Sequence, residues 1–454
     1  MEKLYSIIRK NRVIINNIIG AFIVRGGSLI VSLFTMPAYI NYFQDQTVLG
    51  LWFTILSVLN WVLMFDLGLG NGLRNKLPIA IAENDNKKVQ EYISSTYIST
   101  AILVVVLSII SYFIFPYIPW NIIFNIDNSL IPHDTLVLSV KIVFIGIMIQ
   151  FLLKLITSIL YAIQKSAVVN FLSLISSIII LISVLSFKKT NLETSLITMS
   201  WINVIAVNLP LLIVSIVVFN TTLKKSKPSF KKYRNRYALE ILKIGGVLLW
   251  LQIVFMIISS TNEFLISFLT NPSLVVEYQA YNKLFNAVSS LFTLALVPIW
   301  SAVTKAQADR NFNWIKKLSY VLFIMGGIGF LIELAMVPFL QTLIDVWLGK
   351  ATIKIEVSYA IIFVLSNSLF IFHNISTSIG NGMSYFKIQI IWMTFAAIVN
   401  IPLAFLFVNI TGGWIGVVLA NIISLLPFEI IQPIYIKKHI DTLIIEECRN
   451  KITN

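Results

Sequence analysis

The chain has 454 residues, 57% of them hydrophobic and only 12% charged, with a net charge of +14 and a mean hydropathy of +0.87. A soluble domain carries about 25% charged residues, so this composition excludes a water-facing globule and makes lipid the main solvent. One cysteine, Cys448, excludes an intrachain disulfide and a thiolate metal cluster. The basic excess lies in short runs between apolar segments, which speaks for membrane orientation and against a nucleic-acid partner.

A membrane span needs roughly 20 mostly apolar residues. Twelve stretches qualify: 13–42, 48–68, 93–118, 136–162, 167–187, 195–219, 244–270, 277–303, 318–345, 357–379, 386–408 and 414–436. The first follows a basic N-terminus and is too long for a signal-peptide core, so it reads as a retained span. It carries Arg25 about twelve residues in, near 18 Å of helix. A central arginine costs at least about 2.5–3.5 kcal/mol on insertion scales, and such residues face a cavity or a counter-charge. Arg25 therefore either grips an anionic group in a cavity or pairs with a buried acid such as Glu263 or Asp66.

The fourth span places Lys154 deep within "IQFLLKLITSILYAIQ", where it can line the same half of a cavity. Lys141 and Lys283 lie nearer span ends, where snorkelling explains them. After the sixth span comes "LKKSKPSFKKYRNRY", Leu223 to Tyr237, which reads as a cytoplasmic linker drawn to anionic headgroups. It divides the chain into a six-helix lobe at 1–222, a basic linker at 223–243 and a second six-helix lobe at 244–454. The second half holds the buried acids Glu263, Glu333 and Glu429, with Asn262 beside the first and His373–Asn374 in the tenth span. These acids either carry protons or hold a sodium ion as coupling groups, or they pair with buried bases and polar walls.

Of the 34 lysines and arginines, 26 fall in alternate segments that include both termini. Cytoplasmic loops carry such an excess, so both termini are expected on the cytoplasmic side. The halves also echo each other: "AIAENDNKKVQEYIS" (Ala80 to Ser94) follows the second span and "AQADRNFNWIKKLSY" (Ala306 to Tyr320) the eighth. Halves that start on the same side form a parallel repeat, which suits a transporter with a central site.

The segment "WVLMFDLGLGNGLRNKLPIAIAENDNKKVQEYISS", Trp61 to Ser95, together with "GLW" at Gly50 to Trp52 and with Arg25, resembles the polysaccharide-transport exporters. These are the O-antigen and capsule repeat-unit flippases of the MOP exporter superfamily. The resemblance implies an all-α polytopic fold of about 12 transmembrane helices in two lobes (MATE-like, MOP fold) in the cytoplasmic (inner) membrane. It implies a flippase, not an enzyme, carrying an undecaprenyl-pyrophosphate-linked oligosaccharide from the cytoplasmic to the outer leaflet by alternating access. No cofactor is implied beyond Na+ or H+ as coupling ion, and the polysaccharide polymerase machinery is a candidate partner. Asp66, Gly68, Gly70 and Arg74 would form a cytoplasmic-side motif. Read from the residues, Gly70 and Gly72 look like a helix end and Arg74 a headgroup-level charge, so these four are gate or structural candidates.

Three rivals remain. A multidrug exporter of the same fold, moving organic cations, would want acids and aromatic rings; Glu263 and Glu333 leave it open. A lipid II flippase would need the same cation as the oligosaccharide flippase. A polymerase or ligase of lipid-linked sugars would need a large catalytic outer loop, whereas the longest here, roughly 119–135, offers only Asp127, His133 and Asp134.

Overall fold

The computed structural model describes residues 12–64, 69–83, 85–163, 165–187, 190–349, 353–383 and 385–453, with some side chains among them, including that of Arg25, outside the described set. The described residues are almost wholly helical. They divide into two compact units, Met1–Ile253 and Val254–Asn454. The long helices of the first are α1 (Arg12–Phe43), α2 (Gln46–Met64), α3 (Leu69–Ala82), α4 (Asn86–Ile114), α5 (His133–Ala162), α6 (Ser166–Ser186) and α7 (Leu192–Asn220). Next come α8 (Asn235–Ser259), which runs through the division, α9 (Asn262–Leu269), α10 (Pro272–Ala308) and α11 (Phe312–Met336). The chain closes with α12 (Leu340–Leu348), α13 (Val357–Gly382), α14 (Lys387–Thr411) and α15 (Ile415–Thr453).

In their described residues, the apolar stretches fall on these helices or on helix pairs. Among the described residues, nine helices are long and apolar enough to cross a membrane, or up to ten if the bent pair Gln252–Ser259 and Asn262–Leu269 counts as one. Their outer faces are apolar: on α4, Ile109 is 54% and Phe113 65% exposed. Rows of that kind suit hydrocarbon and would aggregate in water. The protein is thus an all-α, polytopic membrane protein.

The stretch expected as one span at 244–270 is bent by 40° between α8 and α9. Serine and threonine stand at the break. Ser259 Oγ donates to the Phe255 carbonyl at 2.8 Å and Thr261 Oγ1 to the Ile257 carbonyl at 2.7 Å, competing with the backbone ladder. The echo between the two halves has a structural meaning too. Asp85 caps α4 by accepting the Lys88 backbone N–H at 2.9 Å, and Asn311 caps α11 by accepting that of Trp314 at 3.3 Å. Each cap closes a three-residue turn after a preceding helix, and such a cap contributes about 1 kcal/mol.

In the first unit α5 is central. Leu73 and Leu77 of α3, Ile93 of α4, Ile156 and Ile159 of α5 and Ile241 of α8 form one buried cluster. Gly72 permits the close approach of α8, because a Cβ there would sit 2.5 Å from both Cγ2 and the carbonyl oxygen of Ile241. Lys76 and Glu240 pair beside that contact, and Tyr92 Oη donates to Glu240 at 3.1 Å. The basic stretch after α7 is folded against α4 as two short 3-10 turns. Gln90 Nε2 donates to the Lys227 carbonyl, the Ser229 and Arg234 N–H groups donate to Ser94 and Ser95 hydroxyls, and Arg234 pairs with Glu91. Lys224, Lys225, Lys227 and Lys231 stay exposed.

In the second unit α13 and α15 form the middle. The α14–α15 hairpin turns on Gly412, at φ +66°, a left-handed helix cap that glycine adopts without strain. Gly416 then meets the backbone of Phe407 and Val408 so closely that a methyl group has no room. Gly416→Ala is therefore expected to destabilise by about 1–3 kcal/mol. Gly327→Ala, where a Cβ meets nothing within 4 Å, serves as the neutral control in thermal melts of the purified protein.

A second prediction comes from Glu240, which lies before the membrane-spanning part of α8. Its hydrogen bond with Lys76 holds its carboxyl below the ordinary value of 4.5. A depressed folded value gives stability that is present above pH 4.5 and lost as pH falls through the folded value. Wild type should therefore lose more melting temperature on acidification than Glu240→Gln; equal losses would remove the pair from the account.

Candidate functional site

A cavity of about 170 Å³ opens within the first unit between α3, α4 and α5. Two cations line it. Arg74 comes from α3, and its guanidinium lies 4.2 Å from the centroid of the Tyr161 ring, a cation–π contact that holds the fork in place. Lys154 comes from α5, seven residues before Tyr161, so both sit on one face two turns apart. Gly70 and Gln252 also reach the wall. Thr100, 2% exposed, also lines the cavity, while its Oγ1 is buried without a hydrogen bond among the described residues.

No carboxylate stands among the described residues that line this cavity. Two positive charges, with the hydroxyl residues Thr157 and Ser158 and the amide of Gln252 among the lining, give the cavity a charge that attracts anions. The space admits several waters or a small anionic group. The sequence singled out Lys154 and Arg74 for different jobs, and the fold brings them together. Gly70 joins them. Asp66 and Gly68 lie outside the described residues. Arg25 stands on α1, a helix that packs against α6 through Gly27 and Leu174, but its side chain also lies outside them.

The acids of the second unit are dispersed. Glu333 on α11 is fully buried and accepts a hydrogen bond from Ser368 Oγ of α13 at 3.0 Å. Glu429 on α15 pairs with His373 Nδ1 of α13 at 2.9 Å, with His373 stacked on Phe255. Ser368 and His373 are five residues apart, which turns them about 140° around α13, so the two acids approach that helix from different sides. Glu263 accepts a hydrogen bond from Gln279 Nε2 at 2.7 Å. Among the described residues no group of three or more His, Cys, Asp or Glu converges as a metal site. His373 meets Glu429 directly, a contact that sequence order, 56 residues apart, does not reveal.

Sequence reasoning also missed a buried amide ladder in this unit. Asn262 donates to Tyr278 Oη at 2.9 Å, Asn421 donates to Asn262 at 3.0 Å, and Asn400 donates to Asn421 at 2.8 Å and to Ser424 at 3.1 Å. The signal was there as lone asparagines within apolar spans, which seek interhelical hydrogen bonds.

This architecture is a MATE-like fold. An inward-facing multidrug resistance MATE family transporter of the MOP superfamily superposes with a TM-score of 0.71 at 15% identity, covering 93% of this chain and 98% of that one. The lipid II flippase MurJ in an inward closed conformation gives 0.70 at 19% identity, covering 93% and 87%. A MOP superfamily transporter from Pyrococcus furiosus, described as having a binding pocket of reverse polarity, gives 0.61 at 16%, covering 95% and 96%. Those three proteins are transporters or a flippase, not enzymes. No protein-family model matches the chain, and no curated protein sequence matches it.

The amide ladder yields a test of its own. Asn421→Ala leaves buried groups of Asn262 and Asn400 unpaired, and each such group costs about 1–3 kcal/mol. The variant should melt lower than wild type, while Asn313→Ala on the exposed start of α11 should not.

Proposed function

We propose that this protein is a flippase of the MOP type that moves an undecaprenyl-pyrophosphate-linked oligosaccharide, such as an O-antigen or capsule repeat unit, to the outer leaflet of the cytoplasmic membrane. The observation that carries this reading is the convergence of Arg74 and Lys154 on one cavity without an opposing carboxylate among the described residues. A pyrophosphate is a multiply charged anion, and arginine binds such groups through two parallel N–H···O contacts. Arg25 is a third cation for the same task. The sugars travel with the head, and the lipid tail stays in the bilayer.

In this reading both termini face the cytoplasm, and the two units are the two lobes of an alternating-access carrier. Glu333 and the Glu429–His373 pair are the groups for a coupling proton, with Na+ as the alternative ion. The multidrug reading draws support from these same acids, but they are occupied by Ser368 and His373 and do not form one acidic pocket with each other. A lipid II flippase reading shares the anionic head and differs only in the sugar.

Proteoliposomes loaded with the labelled lipid-linked oligosaccharide test this proposal. Wild type should translocate it. Arg74→Ala and Lys154→Ala should each slow it by about 10–100-fold, the value of one charged hydrogen bond of about 1.5–3 kcal/mol, with Arg25→Lys retaining more activity than Arg25→Ala. Export of a cationic dye by wild type, with the lipid-linked substrate unmoved, would overturn the reading in favour of a drug exporter.

A further inference from the structure

A second cavity, of about 320 Å³, runs between α11 and α15 in the second unit. Lys316, Tyr320 and Phe323 form a stripe along α11 at the spacing of one helix face. Pro433, Lys437 and Ile440 form the facing stripe of α15. Lys316 Nζ donates to Asp441 at 2.7 Å, so the start of α11 lies beside the later part of α15 and the helices run antiparallel here. The groove's lining is almost wholly apolar: Lys316 and Lys437 border one end with their carbon stems, their ammonium groups lying beyond the lining. The other end, about 10 Å away along the helices, lies at Phe323 and Pro433.

Both helices belong to segments apolar enough to cross a membrane. The groove's wall faces outward, with Tyr320 50% and Ile434 47% exposed. Asp441 offsets one lysine. Lys437 is exposed and forms no ion pair among the described residues, which leaves the lysine end with a net positive charge. Pro433 lies within α15, where its ring removes a backbone N–H and favours a kink.

We infer that this groove binds one anionic glycerophospholipid of the surrounding bilayer, with an acyl chain along Phe323 and Pro433 and the phosphate at Lys437 and Lys316. A cationic end joined to an apolar channel matches that molecule in both charge and polarity. A protein helix would leave the lysines without matching anions, and a zwitterionic lipid lacks the net charge. Lysines near headgroups favour anionic lipids by about 1 kcal/mol each. The site lies outside the Arg74–Lys154 cavity and stands whatever that cavity carries.

Native mass spectrometry of the full-length protein in detergent tests the inference, with dioleoylphosphatidylglycerol and dioleoylphosphatidylcholine as probes. Wild type should retain one phosphatidylglycerol in preference to phosphatidylcholine. Lys437→Glu should cut that preference by about fivefold or more, and Ile434→Trp, which fills the groove, should lower retention of both lipids. Both variants are compared at unchanged melting temperature; Ser319→Trp replaces either one that melts lower. Equal retention of the two lipids by wild type, or phosphatidylglycerol adducts unchanged in the groove variants, would overturn it.

Discussion

Hydrocarbon offers no hydrogen bonds, so every polar group that this chain carries into the bilayer needs a protein group or a water-filled space. That constraint governs the fold. Backbone groups are satisfied by helices. Side-chain amides reach neighbouring carbonyls, as Asn208 does when it donates to Gly146 and Val204 at 3.0 and 2.9 Å. In the second unit Asn262 pairs with Tyr278 and Asn421, Glu429 with His373 and Glu333 with Ser368, while the second carboxylate oxygen of each of these two glutamates is buried without a partner among the described residues. In the first unit, Arg74, Lys154 and Thr100 instead share a cavity.

The contrast between those arrangements sets what each unit can do. The buried hydrogen bond between His373 and Glu429 ties α13 to α15, and a buried polar group left unpaired costs about 1–3 kcal/mol. A pair of cations around open space has the opposite character. Arg74 and Lys154 repel each other, and an anion entering between them relieves that repulsion while displacing only water. The aromatic face of Tyr161 fixes one of the two cations beforehand, which reduces the ordering cost of binding.

The sequence was most legible where one period or one charge count decided the matter. Apolar runs located the helices, and the polar interruptions "AENDNKK" and "ADRNFN" marked turns whose aspartate and asparagine proved to be helix caps. Lys154 was identifiable because a lysine deep in an apolar helix is expensive. Arg74 was harder: near a glycine-rich segment it read as a headgroup charge, and only the packing of α3 against α5 puts it over Tyr161. The bend between α8 and α9 was hidden in a run of serine and threonine that hydropathy counts as nearly neutral. The His373–Glu429 pair and the asparagine ladder depend on which helix faces meet, and helical periodicity gives a face without giving its neighbour. The basic stretch Leu223 to Tyr237 read by composition as a linker drawn to anionic headgroups, and small hydroxyls at Ser94 and Ser95 also give its backbone a place to dock.

The most direct measurement of the central claim is a structure of the protein determined by electron cryomicroscopy with undecaprenyl pyrophosphate bound in a lipid nanodisc. The account predicts density for the pyrophosphate between Arg74 and Lys154, within hydrogen-bond distance of both. Pyrophosphate density elsewhere, with those two side chains unoccupied or paired with acids, would contradict it.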